Sequence, residues 1–109
     1  MSDDQRRAMA ASKILEDREE RYALFPSDIF DEYAWNMLLH LFIAFSAGHE
    51  VSEAGLIKLV HTSTRTGQRW LYQLAKDRQV DARVAGDEVR LTPEAKTKLR
   101  RYLDTVLDR

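Results

Sequence analysis

The amino-acid sequence predicts a mainly α-helical domain with one small β-hairpin, and three observations predict it. Apolar residues recur at helical spacing through five stretches that are poor in glycine and proline. The period falls to two only over residues 80–91, around the turn signal Ala85-Gly86-Asp87. Gly48, Ser63 and the pair Thr92-Pro93 stand where helical stretches stop or start.

Residues 3–24 lack glycine and proline and form the first predicted helix. Its apolar stripe, Ala8, Ala11, Leu15, Tyr22 and Phe25, is thin, because residues 16–21 are all charged. A stripe that narrow suits a helix lying on a surface or a partner. Pro26 ends it, and Ser27 or Asp31 can cap the next helix. Residues 32–47 are apolar almost all round, so this helix must be covered on most sides and is the expected centre of the fold. Val51 suits a short strand, and Ser52 and Glu53 begin a third helix reaching about His61, with Leu56, Leu59 and Val60 inward. After the polar break His61-Thr62-Ser63, Ser63 caps a fourth helix over residues 64–78. Val80, Ala82 and Val84, then Val89 and Leu91, alternate with charged residues as a hairpin would. Thr92 and Pro93 open the last helix, whose stripe is Ala95, Leu99, Tyr102, Leu103 and Val106. The expected architecture is therefore a winged helix-turn-helix with long N- and C-terminal helices.

At 109 residues and 44% apolar composition, the chain suits one domain with a real core. No cysteine is present, which excludes disulfides and thiolate chemistry. The polar start resembles no secretory signal, and the most apolar run is too short to span a bilayer, so a cytoplasmic place without membrane attachment is expected. His40, His49 and His61 have no partners at ligand spacing, so neither metal nor cofactor is expected. His40 reads as a satisfied or interface histidine, and Trp35 as a core residue. No nucleophile elbow or phosphate loop occurs, and an enzyme is not expected.

The net charge of −1 does not mark a nucleic-acid binder, but its distribution is uneven. Residues 1–32 carry −4 and residues 33–57 carry −2, against +3 over 58–90 and +2 over 91–109. A chain acidic in front and basic behind suits contact with phosphate by one part only. On the fourth helix, Gly67, Leu71, Leu74 and Ala75 share one face. Arg65, Arg69, Gln73 and Lys76 share the other, flanked by Thr66 and Tyr72, and no acidic residue interrupts the row before Asp77. Gly67 offers a small surface where the preceding helix can cross closely. A recognition helix needs one anchored face and one carrying long hydrogen-bond donors into the major groove. Arg65, Arg69 and Gln73 are candidates for base edges, since arginine fits guanine and glutamine fits adenine. Ser63, Thr64, Thr66 and Lys76 are candidates for backbone phosphate. Arg83 and Arg90 on the hairpin either reach DNA or pair with Asp81, Asp87 or Glu88; the spacing leaves both open.

From Phe30 to Leu103 the sequence resembles the MarR-type winged-helix transcriptional regulators, especially a short MarR-like group. The resemblance rests on FDEYAWNMLLHLFIA, VSEAGLIKLVHTSTRTGQRWLYQL and DARVAGDEVRLTPEAKTKLRRYL, and most of all on LTPEA after the hairpin. It implies sequence-specific binding of double-stranded DNA by a homodimer whose first and last helices build the interface. It also implies a small aromatic effector near that interface. Residues 1–28 would then be a dimerising arm and residues 29–109 the DNA-binding domain with its C-terminal helix. Two positions depart from the family: Arg78 stands where a glycine usually ends the recognition helix, and the wing loop Ala85-Gly86-Asp87-Glu88 is short and acidic. The alternative expectation, which the near-neutral charge favours, is a winged-helix module that binds protein and not DNA.

Overall fold

A computed structural model describes residues 1–25, 32–81 and 87–108. Five helices run in the order α1 (Asp3–Leu24), α2 (Tyr33–Ala47), α3 (Glu53–Leu59), α4 (Thr64–Lys76) and α5 (Pro93–Leu107). Their positions match the five helices expected from spacing, and α3 ends earlier because Val60 and His61 leave the helical path, His61 at φ 58°.

The polar residues at the helix ends explain the boundaries. The hydroxyls of Ser2, Ser52, Ser63 and Thr92 each accept an amide from the first turn of the helix they precede. At α2, Glu32 holds the cap position without a side-chain bond, and the suggested caps Ser27 and Asp31 lie outside the described residues. Gly48, at φ 72°, closes α2 in the left-handed conformation that its missing side chain allows.

α2 lies at the centre, as its apolar circumference requires, and touches every other helix. Met37, Leu39 and Phe42 are fully buried, and Leu56, Leu71, Leu74, Val80, Val89, Leu91, Leu99 and Leu103 close around them. Trp35 is half-buried, not fully enclosed, and meets Tyr102 edge-on with ring centroids 5.0 Å apart.

α1 packs along α2 and α5 of its own chain, with Ala11 and Leu15 inward. Its thin apolar stripe is supplemented by polar contacts. Asn36 of α2 is only 4% exposed; it accepts from Arg18 and donates to the Tyr22 hydroxyl at 2.9 Å. Tyr22 in turn donates to Glu32 at 3.0 Å, which also pairs with Arg21 at 2.9 Å. At the other end, Arg7 forks onto Asp104, and Arg100 of α5 forks onto Asp4.

The expected β-hairpin wing is overturned. Among the described residues there is no strand and no sheet. Only two isolated antiparallel bridges occur, Val80 with Leu91 and Ser52 with Glu88. Ala82, Arg83, Val84, Ala85 and Gly86 lie outside the described residues. The arms do meet at their base, where the Asp81 amide donates to the Arg90 carbonyl at 2.9 Å and the Thr92 amide to the Gln79 carbonyl at 3.1 Å, but the second arm pairs elsewhere at Val89. Val89 donates its amide to the Val51 carbonyl at 2.9 Å, which ties this arm to the segment before α3. Val80, Val89 and Leu91 are spent on the helical core, leaving too little for a self-standing two-stranded ladder.

The Asp4 carboxyl is held below its ordinary value of 3.8, chiefly by the Arg100 guanidinium, with Arg7 adding to it against the opposing effect of burial. A depressed acid adds stability above its unfolded value and loses it as pH falls through the folded one. Asp4→Asn should therefore cost up to about 1 kcal/mol at pH 7. That cost should shrink as pH falls below the ordinary carboxylate value, as urea denaturation of both proteins at pH 7 and in acid will show.

Candidate nucleic-acid interface

The site is built on α4 and on the way α3 holds it. Residues 60–63 join the two helices, and Ser63 caps α4 by accepting the Thr66 amide at 3.2 Å. α3 crosses α4 at Gly67, which is buried; a methyl added there would stand 2.5 Å from Ile57 Cγ1. Leu71 and Leu74 complete the anchored face, as the helical spacing predicted.

The opposite face is open to solvent. Ser63, Thr64, Arg65, Arg69, Gln73 and Lys76 are exposed, and Thr66 is half-buried. Gln68 and Tyr72 are exposed beside them, Tyr72 at 72%. Gln68 was missed because it lies near the edge of the buried arc; its spacing of three from Arg65 was the available signal. Among the described residues, Arg65, Arg69 and Lys76 make no ion pair. On α1 and α5 the half-buried arginines are compensated: Arg7 by Asp4 and Asp104, Arg18 by Glu32, Arg100 by Asp4. Lys58, Arg78, Lys96 and Arg101 also make no ion pair among the described residues, but α4 gathers three such cations on one exposed face. The first amides of α4 add a partial positive charge at its start, where Ser63 and Thr64 sit.

The structure treats three expected contacts differently. Gln73 donates its side-chain amide to both Asp77 carboxylate oxygens, at 3.0 and 3.1 Å, so reading a base requires it to leave that partner. Arg90 pairs with Glu88 at 2.9 Å, one of the two arrangements the sequence left open. Arg83 lies outside the described residues. Near the turn, the His61 ring meets Glu19 of α1 at 2.8 Å. His40 is half-buried, and burial pushes its imidazole below the ordinary 6.5.

The C-terminal end of α4 shows what Arg78 does in the place of a glycine. Its amide reaches back to the Ala75 carbonyl at 3.1 Å, and the Gln79 amide reaches Leu74 at 2.9 Å. These two bonds form a Schellman closure, which requires a left-handed residue, and Arg78 adopts φ 61°. Its carbonyl also receives the Thr92 hydroxyl at 2.8 Å, joining the end of α4 to the start of α5.

Among the described residues no helix is long and apolar enough to cross a membrane, and no group of side chains is arranged to hold a metal. Comparison with protein-family models, curated proteins and solved structures finds no match.

Two substitutions test this frame by thermal or urea denaturation. Gly67→Ala should destabilise by about 1–3 kcal/mol, because the buried Ile57 must move. Arg78→Gly should stabilise by about 0.5–1 kcal/mol, since relief of the left-handed strain exceeds the extra entropy of glycine in the unfolded chain.

Proposed function

We propose that this chain binds double-stranded DNA through α4 and acts as a homodimeric, cytoplasmic regulator of transcription without enzymatic activity. The observation that carries the reading is the two-sided character of α4. One side is locked onto α3 through Gly67, and the other presents Arg65, Arg69 and Lys76 with no ion-pair partner among the described residues. Arginines held out from a rigid helix suit guanine edges in the major groove, and the helix start suits phosphate. The resemblance to MarR-type regulators supports the same reading and is the ground for the dimer. The described residues span 36 × 35 × 22 Å, a size compatible with two copies presenting α4 about 34 Å apart, one helical turn of DNA.

With no hairpin wing among the described residues, the electrostatic contacts rest on α4. Its three cations, Arg65, Arg69 and Lys76, hence six per dimer, should make affinity fall by up to roughly 10³-fold between 50 and 200 mM salt if all of them displace counterions. Fluorescence anisotropy with a labelled duplex will measure this. Arg65→Glu and Arg69→Glu should each weaken binding at least tenfold while the helical spectrum is unchanged, because both side chains are exposed. Variants that bind like the parent would remove α4 from the interface.

The near-neutral total charge of −1 favours a second reading, a helical module that recognises another protein. In that case the parent shows no affinity for duplex at either salt concentration.

A further inference from the structure

We infer that Tyr72 is a specificity residue and that the duplex this chain selects carries a thymine one or two base pairs from the guanine read by Arg69. The inference rests on the duplex-DNA reading above and names the sequence feature that the same face of α4 would recognise.

Tyr72 does no evident work in the fold. It is 72% exposed, the most exposed aromatic side chain among the described residues. The anchored face of α4 is made by Gly67, Leu71 and Leu74, on the other side of the helix. Among the described residues Tyr72 has no hydrogen-bond or ring partner. Of the other exposed large apolar side chains among the described residues, Met1, Leu24, Phe25, Leu59 and Leu107 lie at or near chain or helix ends, and Met9 lies within α1, away from the basic face of α4. Tyr72 flanks the basic face, three residues after Arg69, four after Gln68 and seven after Arg65. At these spacings all four side chains share one stripe of the helix surface.

The chemistry of that stripe is complementary. Arginine and glutamine supply hydrogen bonds, and the major-groove floor answers them at guanine and adenine. The groove also carries one apolar group, the C5-methyl of thymine, which hydrogen-bonding side chains do not recognise. A ring with an apolar edge and a polar tip can pack on that methyl while its hydroxyl stays hydrated or meets phosphate. Along the helix, Tyr72 lies about 4.5 Å beyond Arg69. Successive base pairs are about 3.4 Å apart, so a helix running along the groove places the ring one or two steps further on.

The test is selection from randomised duplexes with the full-length parent, Tyr72→Ala and Tyr72→Phe, followed by anisotropy titration. The parent should enrich a site with a fixed thymine. Replacing that thymine by deoxyuridine removes only the methyl and should weaken the parent about fourfold, the size expected for one buried methyl. Tyr72→Ala should bind the thymine site more weakly and bind both versions equally, whereas Tyr72→Phe should keep the preference. Circular dichroism will confirm that the variants are folded. The inference is overturned if the parent distinguishes thymine from deoxyuridine nowhere, or if Tyr72→Ala still does. A parent that binds no duplex defeats the DNA reading and this inference together. A parent that binds and selects without regard to Tyr72 defeats this inference alone.

Discussion

The absence of a side chain at position 67 lets Ile57 of α3 lie directly against the backbone of α4. Close-packed interiors leave no room to absorb an added carbon at such a contact. The crossing therefore fixes which side of α4 is spent on the core, through Leu71 and Leu74, and which side is left to solvent. The orientation of Arg65, Arg69, Tyr72 and Lys76 follows from that contact, although none of them takes part in it.

Charge is divided in the same way. The chain has almost as many cations as anions, so its total charge reveals little. The fold sorts them. α1 and α5 consume their half-buried arginines in forks to Asp4 and Asp104, and the Glu32 network fastens α1 to α2 around Asn36. Such pairs add little net energy where water reaches them, but they cancel the local field. α4 has no carboxylate until the residue after its end, and its cations keep their field. A nearly neutral protein can in this way direct positive potential outward from one element.

Much of this was legible in the sequence because it is local. Ser52, Ser63 and Thr92 announce helix starts through the bonds they make three residues on, and Gly48 announces a stop. The two faces of α4 follow from a period of 3.6. The hairpin expected over residues 80–91 was misread because an alternating pattern says which side chains turn inward, not what the backbone pairs with. Val80, Val89 and Leu91 are buried, as alternation requires, and Asp81 bonds to Arg90 across the arms, yet Val89 bonds to Val51 and no ladder is built among the described residues. The Glu19–His61 and Gln73–Asp77 contacts were equally out of reach. The first joins residues far apart in sequence, and the second depends on a rotamer. Arg78 shows the reverse case: its place at a helix end flagged a departure from glycine, and its φ of 61° shows the strain that departure carries.

The central claim is that the outer face of α4 meets the nucleic acid. Amide chemical-shift mapping of the full chain during titration with a generic duplex at low salt locates the contact without any substitution. The account predicts that the largest changes fall on residues 63–76. Changes confined to α1 and α5, or none at all at saturating duplex, would contradict it.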